Sequence, residues 1–261
     1  MTTLQGSWIW YELMTPDFTG SKAFYEAVVP GWTLSAGPPE ANGYGFIANA
    51  DGGMTGGVLT LTAEMSEHGA RPRWLGYIGV DDTDASVAAI EVAGGKCLMP
   101  ARDVPMAGRI AMVTDCCGSP FYVMTPTPPP GGGESTAFST SLQGRCSWNE
   151  LYAGNQANAL AFYTKLFGWT LPEPMDMGPM GTYQFIDHDG GGVGAIMQVP
   201  EGAPTGWAHY FRLASISTAH AAITAKGGQL INGPMEVPGE DWIVQGIDPQ
   251  GALFSLVGGK D

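Results

Sequence analysis

The sequence predicts an α+β fold: two tandem copies of one unit, each built from two β-α-β-β-β modules, four modules in all. Mixed sheets curve around cavities and the helices lie outside. Three observations carry this. The first is an internal repeat. Residues 8–34, WIWYELMTPDFTGSKAFYEAVVPGWTL, recur at 146–171 as CSWNELYAGNQANALAFYTKLFGWTL. Trp10 aligns with Trp148, Glu12 with Glu150, Phe24-Tyr25 with Phe162-Tyr163, and Gly31-Trp32 with Gly168-Trp169. Further along, Trp74 aligns with Trp207, Gly94-Gly95 with Gly227-Gly228, and Asp115 and Gly118 with Asp248 and Gly251. A period of about 135 residues is far longer than the 20–50 of stacked repeats, so the duplicated object is a globular unit. The second observation is that both copies show the same succession of apolar runs, helical periods and glycine turns. The third is the stretch between them, TPTPPPGGGESTAFSTSLQGR at 125–145, whose Pro, Gly, Ser and Thr cannot hold a core. The expected division is a first domain at 1–125, a linker at 126–142 and a second domain at 143–261.

Each element follows from local chemistry. Short aromatic and apolar runs at 7–15 and 146–153 suit buried strands. Helices follow at 19–29 and 155–167, with Phe24 and Val28, and Phe162 and Leu166, spaced for one face. Short strands separated by glycine-rich turns come next, near 43–49, 55–62, 182–187 and 193–199. New strands begin at Trp74 and Trp207. Second helices start after Asp82 and Ser215 and stop at the Gly-Gly pairs, where glycine fits a left-handed cap. Three strands close each copy, the last near 120–125 and 253–258.

Composition narrows the function classes. The formal charge is −14, with only 11 Lys plus Arg. Nucleic acid phosphates require a basic stripe and anionic membranes a basic patch, so neither is an expected partner; the acidity serves solubility. No apolar run reaches membrane-span length. The N-terminal residues carry no basic cluster or separate apolar core, so no signal peptide is expected. Cys97, Cys116, Cys117 and Cys146 match no zinc spacing, and reduced thiols in a cytoplasmic protein are the simplest reading. Gly52-Gly53 and Gly190-Gly191-Gly192 lack the strand-to-helix context of a phosphate loop. The expected oligomeric state is a monomer or homodimer.

The paired Phe-Tyr helices, the Val80-Asp81-Asp82 turn, the Gly-Gly helix ends and DPQGALFSL at 248–256 resemble the vicinal oxygen chelate superfamily. That superfamily includes glyoxalase I, bleomycin and fosfomycin resistance proteins, and extradiol dioxygenases. The resemblance covers nearly the whole chain outside the linker and is similar in detail to two-domain glyoxalase-like proteins. It implies the fold strongly and the reaction weakly, because the scaffold hosts many chemistries. Metal-using members carry His or Glu at set strand positions. Carried over residue by residue, those positions fall on Trp10 and Trp148, on Tyr122 and Ser255, and near Leu75 and Ala208. These side chains are poor ligands or none, so no metal and no cofactor are expected. His209 is one residue from a ligand position, hence on the opposite strand face, and is read as a surface or partly buried histidine. His68, His188 and His220 are read as a loop, a turn and a helix residue.

Alternation puts Trp10, Glu12 and Met14 on one face of the first strand, and Trp148, Glu150 and Tyr152 on the matching face of its repeat. If the ligand positions face the cavity, so do Glu12 and Glu150. A carboxylate in an aromatic wall has a raised pKa and suits proton transfer, or else accepts hydrogen bonds that lock the module. Tyr77, Tyr210, Arg212 and Tyr122 are expected on the same faces, with Ser255 beside them. Arg212, opposite Gly79 in the repeat, pairs with Glu150 or holds an anionic group. The candidate catalytic residues are therefore Glu150 and Glu12. The candidate binding residues are Trp10, Trp148, Tyr152, Tyr77, Tyr210, Arg212, Tyr122 and Ser255.

Three functions compete at this point. One is a metal-independent protein that binds or transforms a small apolar or aromatic metabolite, by carboxylate acid–base chemistry if it is an enzyme. Another is a metal-dependent lyase, isomerase or dioxygenase with unrecognised ligands. The last is a non-catalytic drug-sequestering or structural protein.

Overall fold

The structure is a computed structural model that describes residues 4–38, 41, 43–127 and 133–261. Of the Pro/Gly/Ser-rich stretch 126–142, residues 128–132 lie outside the described residues. Element order along the chain is β1 (Trp8–Thr15), α1 (Phe18–Val28), β2 (Trp32–Ala36), β3 (Tyr44–Asn49), β4 (Met54–Thr60), α2 (Ala63–Glu67), β5 (Arg73–Gly79), α3 (Thr83–Val92), β6 (Lys96–Val104), β7 (Gly108–Thr114) and β8 (Pro120–Pro126). It continues with β9 (Cys146–Ala153), α4 (Gln156–Phe167), β10 (Met175–Asp176), β11 (Thr182–His188), β12 (Gly191–Gln198), β13 (Gly206–Leu213), α5 (Ile216–Ala225), β14 (Gln229–Glu236), β15 (Trp242–Ile247) and β16 (Leu253–Gly258). This is the duplicated α+β arrangement that the repeat predicts. The addition is α2, a short helix with no buried residue and hence no apolar period to betray it.

Two eight-stranded sheets result, in the orders β2-β3-β4-β1-β5-β8-β7-β6 and β10-β11-β12-β9-β13-β16-β15-β14. Each comes from one copy of the repeat. The pairs β1/β4, β5/β8, β9/β12 and β13/β16 are parallel and the hairpins antiparallel, so both sheets are mixed.

The helices start where their caps say. Asp17, Asp82, Asn155 and Ser215 each accept a hydrogen bond from a backbone N–H three residues on, satisfying one of the orphan donors of a first turn. α1 buries Ser21, Phe24, Tyr25 and Val28, the spacing of a single apolar face. α4 ends on Gly168, whose φ of 67° is the left-handed cap that favours glycine.

The chain packs as two compact units. One comprises Met1–Ile9, Gly76–Glu134 and Trp148–Trp207; the other comprises Trp10–Leu75, Ser135–Ser147 and Ala208–Asp261. Each unit has its own aromatic core, and the two cores repeat one another. In the second-named unit the Tyr25 hydroxyl accepts from Trp74 Nε1 at 2.9 Å and donates to Asp248 Oδ2 at 2.9 Å. In the first, Tyr163 accepts from Trp207 Nε1 at 2.9 Å and donates to Asp115 Oδ2 at 3.3 Å. Trp32 Nε1 donates to the Gly144 carbonyl at 2.8 Å, and Trp169 Nε1 to the Gly6 carbonyl at 2.9 Å. The motifs that the two copies share, Phe-Tyr, Gly-Trp, the strand Trp and the turn Asp, are thus the parts of these cores. Among the described residues, no helix is long and apolar enough to cross a membrane.

Candidate functional site

On β9 the faces alternate, whereas on β1 every residue but Trp10 is buried. Ser147, Asn149, Leu151 and Ala153 are all buried, whereas on the other face Trp148 and Tyr152 are half-exposed around a buried Glu150. Glu150 is 6% exposed and Glu12 is 2% exposed. Trp10 Nε1 donates to the Tyr44 hydroxyl at 2.9 Å, and Trp148 Nε1 to the Tyr183 hydroxyl at 2.8 Å. Burial, with the Glu150 charge second, pushes the Tyr183 hydroxyl well above its ordinary pKa. Tyr183 therefore stays a neutral phenol over the working pH range, held so by burial first and by the neighbouring Glu150 charge second.

The two copies differ beside the carboxylates. Glu12 lies in register with Gly57 and Glu150 with Ala195. A Cβ placed on Gly57 would fall 2.2 Å from the Tyr44 hydroxyl oxygen, so the Tyr44 ring lies directly on that glycine. Ala195 has the methyl group that forbids this position to Tyr183.

A second difference separates the closing modules. In the first copy Tyr77 and Tyr122 stand in register on β5 and β8 and stack with centroids 4.2 Å apart and planes 14° apart; Met112 faces Tyr122 on β7. In the second copy the matching positions are Tyr210, Ser255 and Gln245. Gln245 Nε2 donates to the Tyr210 hydroxyl at 3.0 Å and to Ser255 Oγ at 3.4 Å, and Gln245 Oε1 accepts from Asn232 Nδ2 at 3.1 Å. An aromatic stack has been replaced by a polar ladder and a small side chain. Gln245 and Asn232 carry no motif; the repeat would have flagged Gln245 only through its pairing with Met112.

Several expectations need correction. Arg212 does not pair with Glu150: its Nη1 donates to Asp241 Oδ1 at 3.1 Å and its Nη2 to Asp241 Oδ2. A guanidinium takes a carboxylate in this forked arrangement, and Asp241, just before β15, presents both oxygens. His209 is not at the surface. It is 3% exposed, its ring set edge-on to Tyr11 with centroids 5.0 Å apart, and burial pushes its pKa down to about 3. His188 ends a strand rather than a turn, with Nε2 3.2 Å from Ser7 Oγ, and His68 caps the end of α2.

The donor set does not fit the divalent ion that the fold implies. The indole nitrogens of Trp10 and Trp148 are donors and are engaged with tyrosine hydroxyls. Leu75 and Ala208 are buried hydrocarbon, and Tyr122 is stacked. Among the described residues, no group of three or more His, Cys, Asp or Glu could hold a metal ion. Two clefts open in the unit containing α3. One, of about 270 Å³, runs along Gln5, Asp81, α3 and Phe167. The other, of about 510 Å³, lies beside Met106 and Arg109. Neither contains a predicted site residue.

CFP32 of Mycobacterium tuberculosis (strain CDC 1551 / Oshkosh), which carries a glyoxylase name, is 31% identical over 255 residues, covering 97% of this chain and 95% of that protein. The anthracycline biosynthesis protein DnrV of Streptomyces peucetius is 28% identical over 266 residues, covering 97% and 93%. Among solved structures, the Mn(II)-bound glyoxalase from Novosphingobium aromaticivorans superposes with a TM-score of 0.64 at 17% identity, over 98% of this chain and 83% of that one. The 2,3-dioxygenase LapB from Pseudomonas sp. KL28 gives 0.62 at 14%, over 98% and 94%. These two establish the fold alone. The family model matches residues 9–122 and again 145–256, and the chain belongs to the Glyoxalase/Bleomycin resistance protein/Dioxygenase superfamily.

Proposed function

We propose that this chain binds a small, flat aromatic metabolite without a metal ion in the compact unit that joins Trp10–Leu75 to Ala208–Asp261, and that Glu12 is the carboxylate that acts on it. The observation that carries this reading is the asymmetry between the copies. Where the first has Tyr122 and Met112 on a stacked aromatic pair, the second has Ser255 and Gln245 on a polar ladder. A ligand site joins apolar walls to a few placed polar groups. Trp10 and Tyr44 are such a wall, and Tyr210, Gln245 and Ser255, in the same compact unit, are such groups. The relationship to DnrV supports an oxygenated polycyclic aromatic as the ligand class. Glu12 and Ser255 are covered in this structure, so entry requires the half-exposed Trp10 to swing aside. Once water is excluded, Glu12 takes a proton from an acidic C–H or O–H of the ligand and returns it, as general acid–base catalysis requires. If no proton moves, the same contacts sequester the ligand.

The test uses a hydroxyanthraquinone. A ligand that binds only the native state raises the melting temperature. The parent should show that rise, and Glu12→Gln should melt like the parent while losing the rise or the turnover. Glu150→Gln should keep both. Equal losses in the two variants would contradict a site confined to that unit.

A further inference from the structure

The turn between the last two strands of each copy is built twice from different residues. In the second copy Asp248 Oδ1 accepts the N–H groups of Gln250 at 2.9 Å and Ala252 at 2.8 Å. In the first, Asp115 Oδ1 accepts those of Cys117 at 2.8 Å and Ser119 at 2.9 Å. Gly118 and Gly251 hold the same left-handed corner, at φ 93° and 99°. Pro249-Gln250 therefore makes this turn as well as Cys116-Cys117 does, and the turn itself has no need of sulfur.

What the cysteines add is a pair of thiols. Their Sγ atoms stand 3.7 Å apart, both half-buried, with Cys117 Sγ 3.6 Å from the Asn155 carbonyl at the cap of α4. Burial, and after it the neighbouring thiol, pushes Cys116 up to about 12, so Cys116 rests protonated. The pair is poorly placed for a direct disulfide. Adjacent Cα atoms are about 3.8 Å apart, short of the roughly 4.4 Å at which relaxed disulfides begin. A ring enlarged by one bridging atom escapes that strain. A linear soft cation would need the sulfurs on opposite sides of it, which neighbouring residues cannot offer; a pyramidal centre needs them side by side.

From this geometry we propose that Cys116 and Cys117 form a chelating site for a soft trivalent metalloid, an arsenical of the form R–As(OH)₂. Thiolate sulfur selects soft centres. Two As–S bonds form and two As–O bonds break. Each thiol proton leaves on a hydroxide as water, and no atom changes oxidation state. Cys97 and Cys146, each without a thiol neighbour in sequence, serve as controls.

The test treats reduced, full-length protein with phenylarsine oxide and reads the intact mass. One phenylarsenic group per chain is expected, retained against excess monothiol and stripped by a small dithiol. Cys116→Pro combined with Cys117→Gln copies the sister turn, so it should melt like the parent and take up none. Cys117→Ser alone should also take up none, which carries the test if the double variant does not fold. Cys97→Ser should bind as the parent does. Uptake that persists in Cys117→Ser, or a label that monothiol removes from the parent, would overturn the assignment.

Discussion

Tyr25 and Tyr163 each sit between an indole donor and a carboxylate acceptor, fully buried. Burial first, then the facing aspartate, raises both hydroxyls well above their ordinary pKa, so each phenol keeps its proton and its bond. Tyr25→Phe and Tyr163→Phe strip Trp74 or Trp207 of an acceptor and Asp248 or Asp115 of a donor. Each should lower stability by about 1–3 kcal/mol, as orphaned buried polar groups do, read from chemical denaturation. His209 makes a prediction with a sign. Its folded pKa of about 3 is below the unfolded value, so between roughly pH 6.5 and 3 the unfolded chain binds the extra proton and acid weakens the fold. The loss should approach about 1.4 kcal/mol per pH unit from this one group. His209→Phe should flatten the fall in melting temperature between pH 6.5 and 4; an unchanged slope would show that His209 is not the group that titrates. The expectation about metal is likewise residue-scale. Protein purified without chelator should carry no stoichiometric zinc, nickel, manganese or iron, and elemental analysis showing one ion per chain would return the metal-dependent reading to favour.

At the scale of elements, the strands differ in how far counting reaches. On β9 half-exposed Trp148 and Tyr152 stand apart from buried Ser147, Asn149, Leu151 and Ala153, as a period of two expects, whereas on β1 every residue but Trp10 is buried and burial marks no face. On β14 the register slips between Leu230 and Asn232 and again between Asn232 and Met235. A slip of one residue exchanges the faces of a strand, so no counting could tell that Asn232 meets Gln245. Arg212 was misread for a related reason: its partner Asp241 stands 29 residues away just outside a strand, where periodicity says nothing. The asymmetry of β8 and β16 is testable directly. Ser255→Tyr recreates the side chain that the first copy carries at Tyr122, so the fold should tolerate it while hydroxyanthraquinone binding falls at least tenfold by titration. Retained affinity would show that Ser255 does not border the ligand.

At the scale of the molecule, each compact unit draws on both copies of the repeat. The duplication was plain in the sequence. Which segments share a core was not, because that rests on contacts such as Tyr25 with Asp248, 223 residues apart. A sign of it was present in Leu4-Gln5-Gly6 and Leu142-Gln143-Gly144, whose glycine carbonyls receive Trp169 and Trp32. A Cβ on Gly6 would lie 2.3 Å from the Phe167 carbonyl oxygen, and one on Gly144 1.9 Å from Asn49 Oδ1, so each approach demands glycine. We expect limited proteolysis to cut first within 126–142, where composition favours cleavage. The fragments should co-elute on size exclusion, since every unit contains residues from both sides of the cut; separation of the fragments without denaturant would contradict this packing.

The central claim is that the unit with the Gln245 ladder holds the ligand and the unit with the Tyr77–Tyr122 stack holds its own aromatics. Titration calorimetry of a hydroxyanthraquinone against the parent, Ser255→Tyr and Glu150→Gln tests it most directly. The account predicts one site per chain, lost in Ser255→Tyr and intact in Glu150→Gln. Two sites, or one that survives Ser255→Tyr and disappears with Glu150→Gln, would place the function in the other unit.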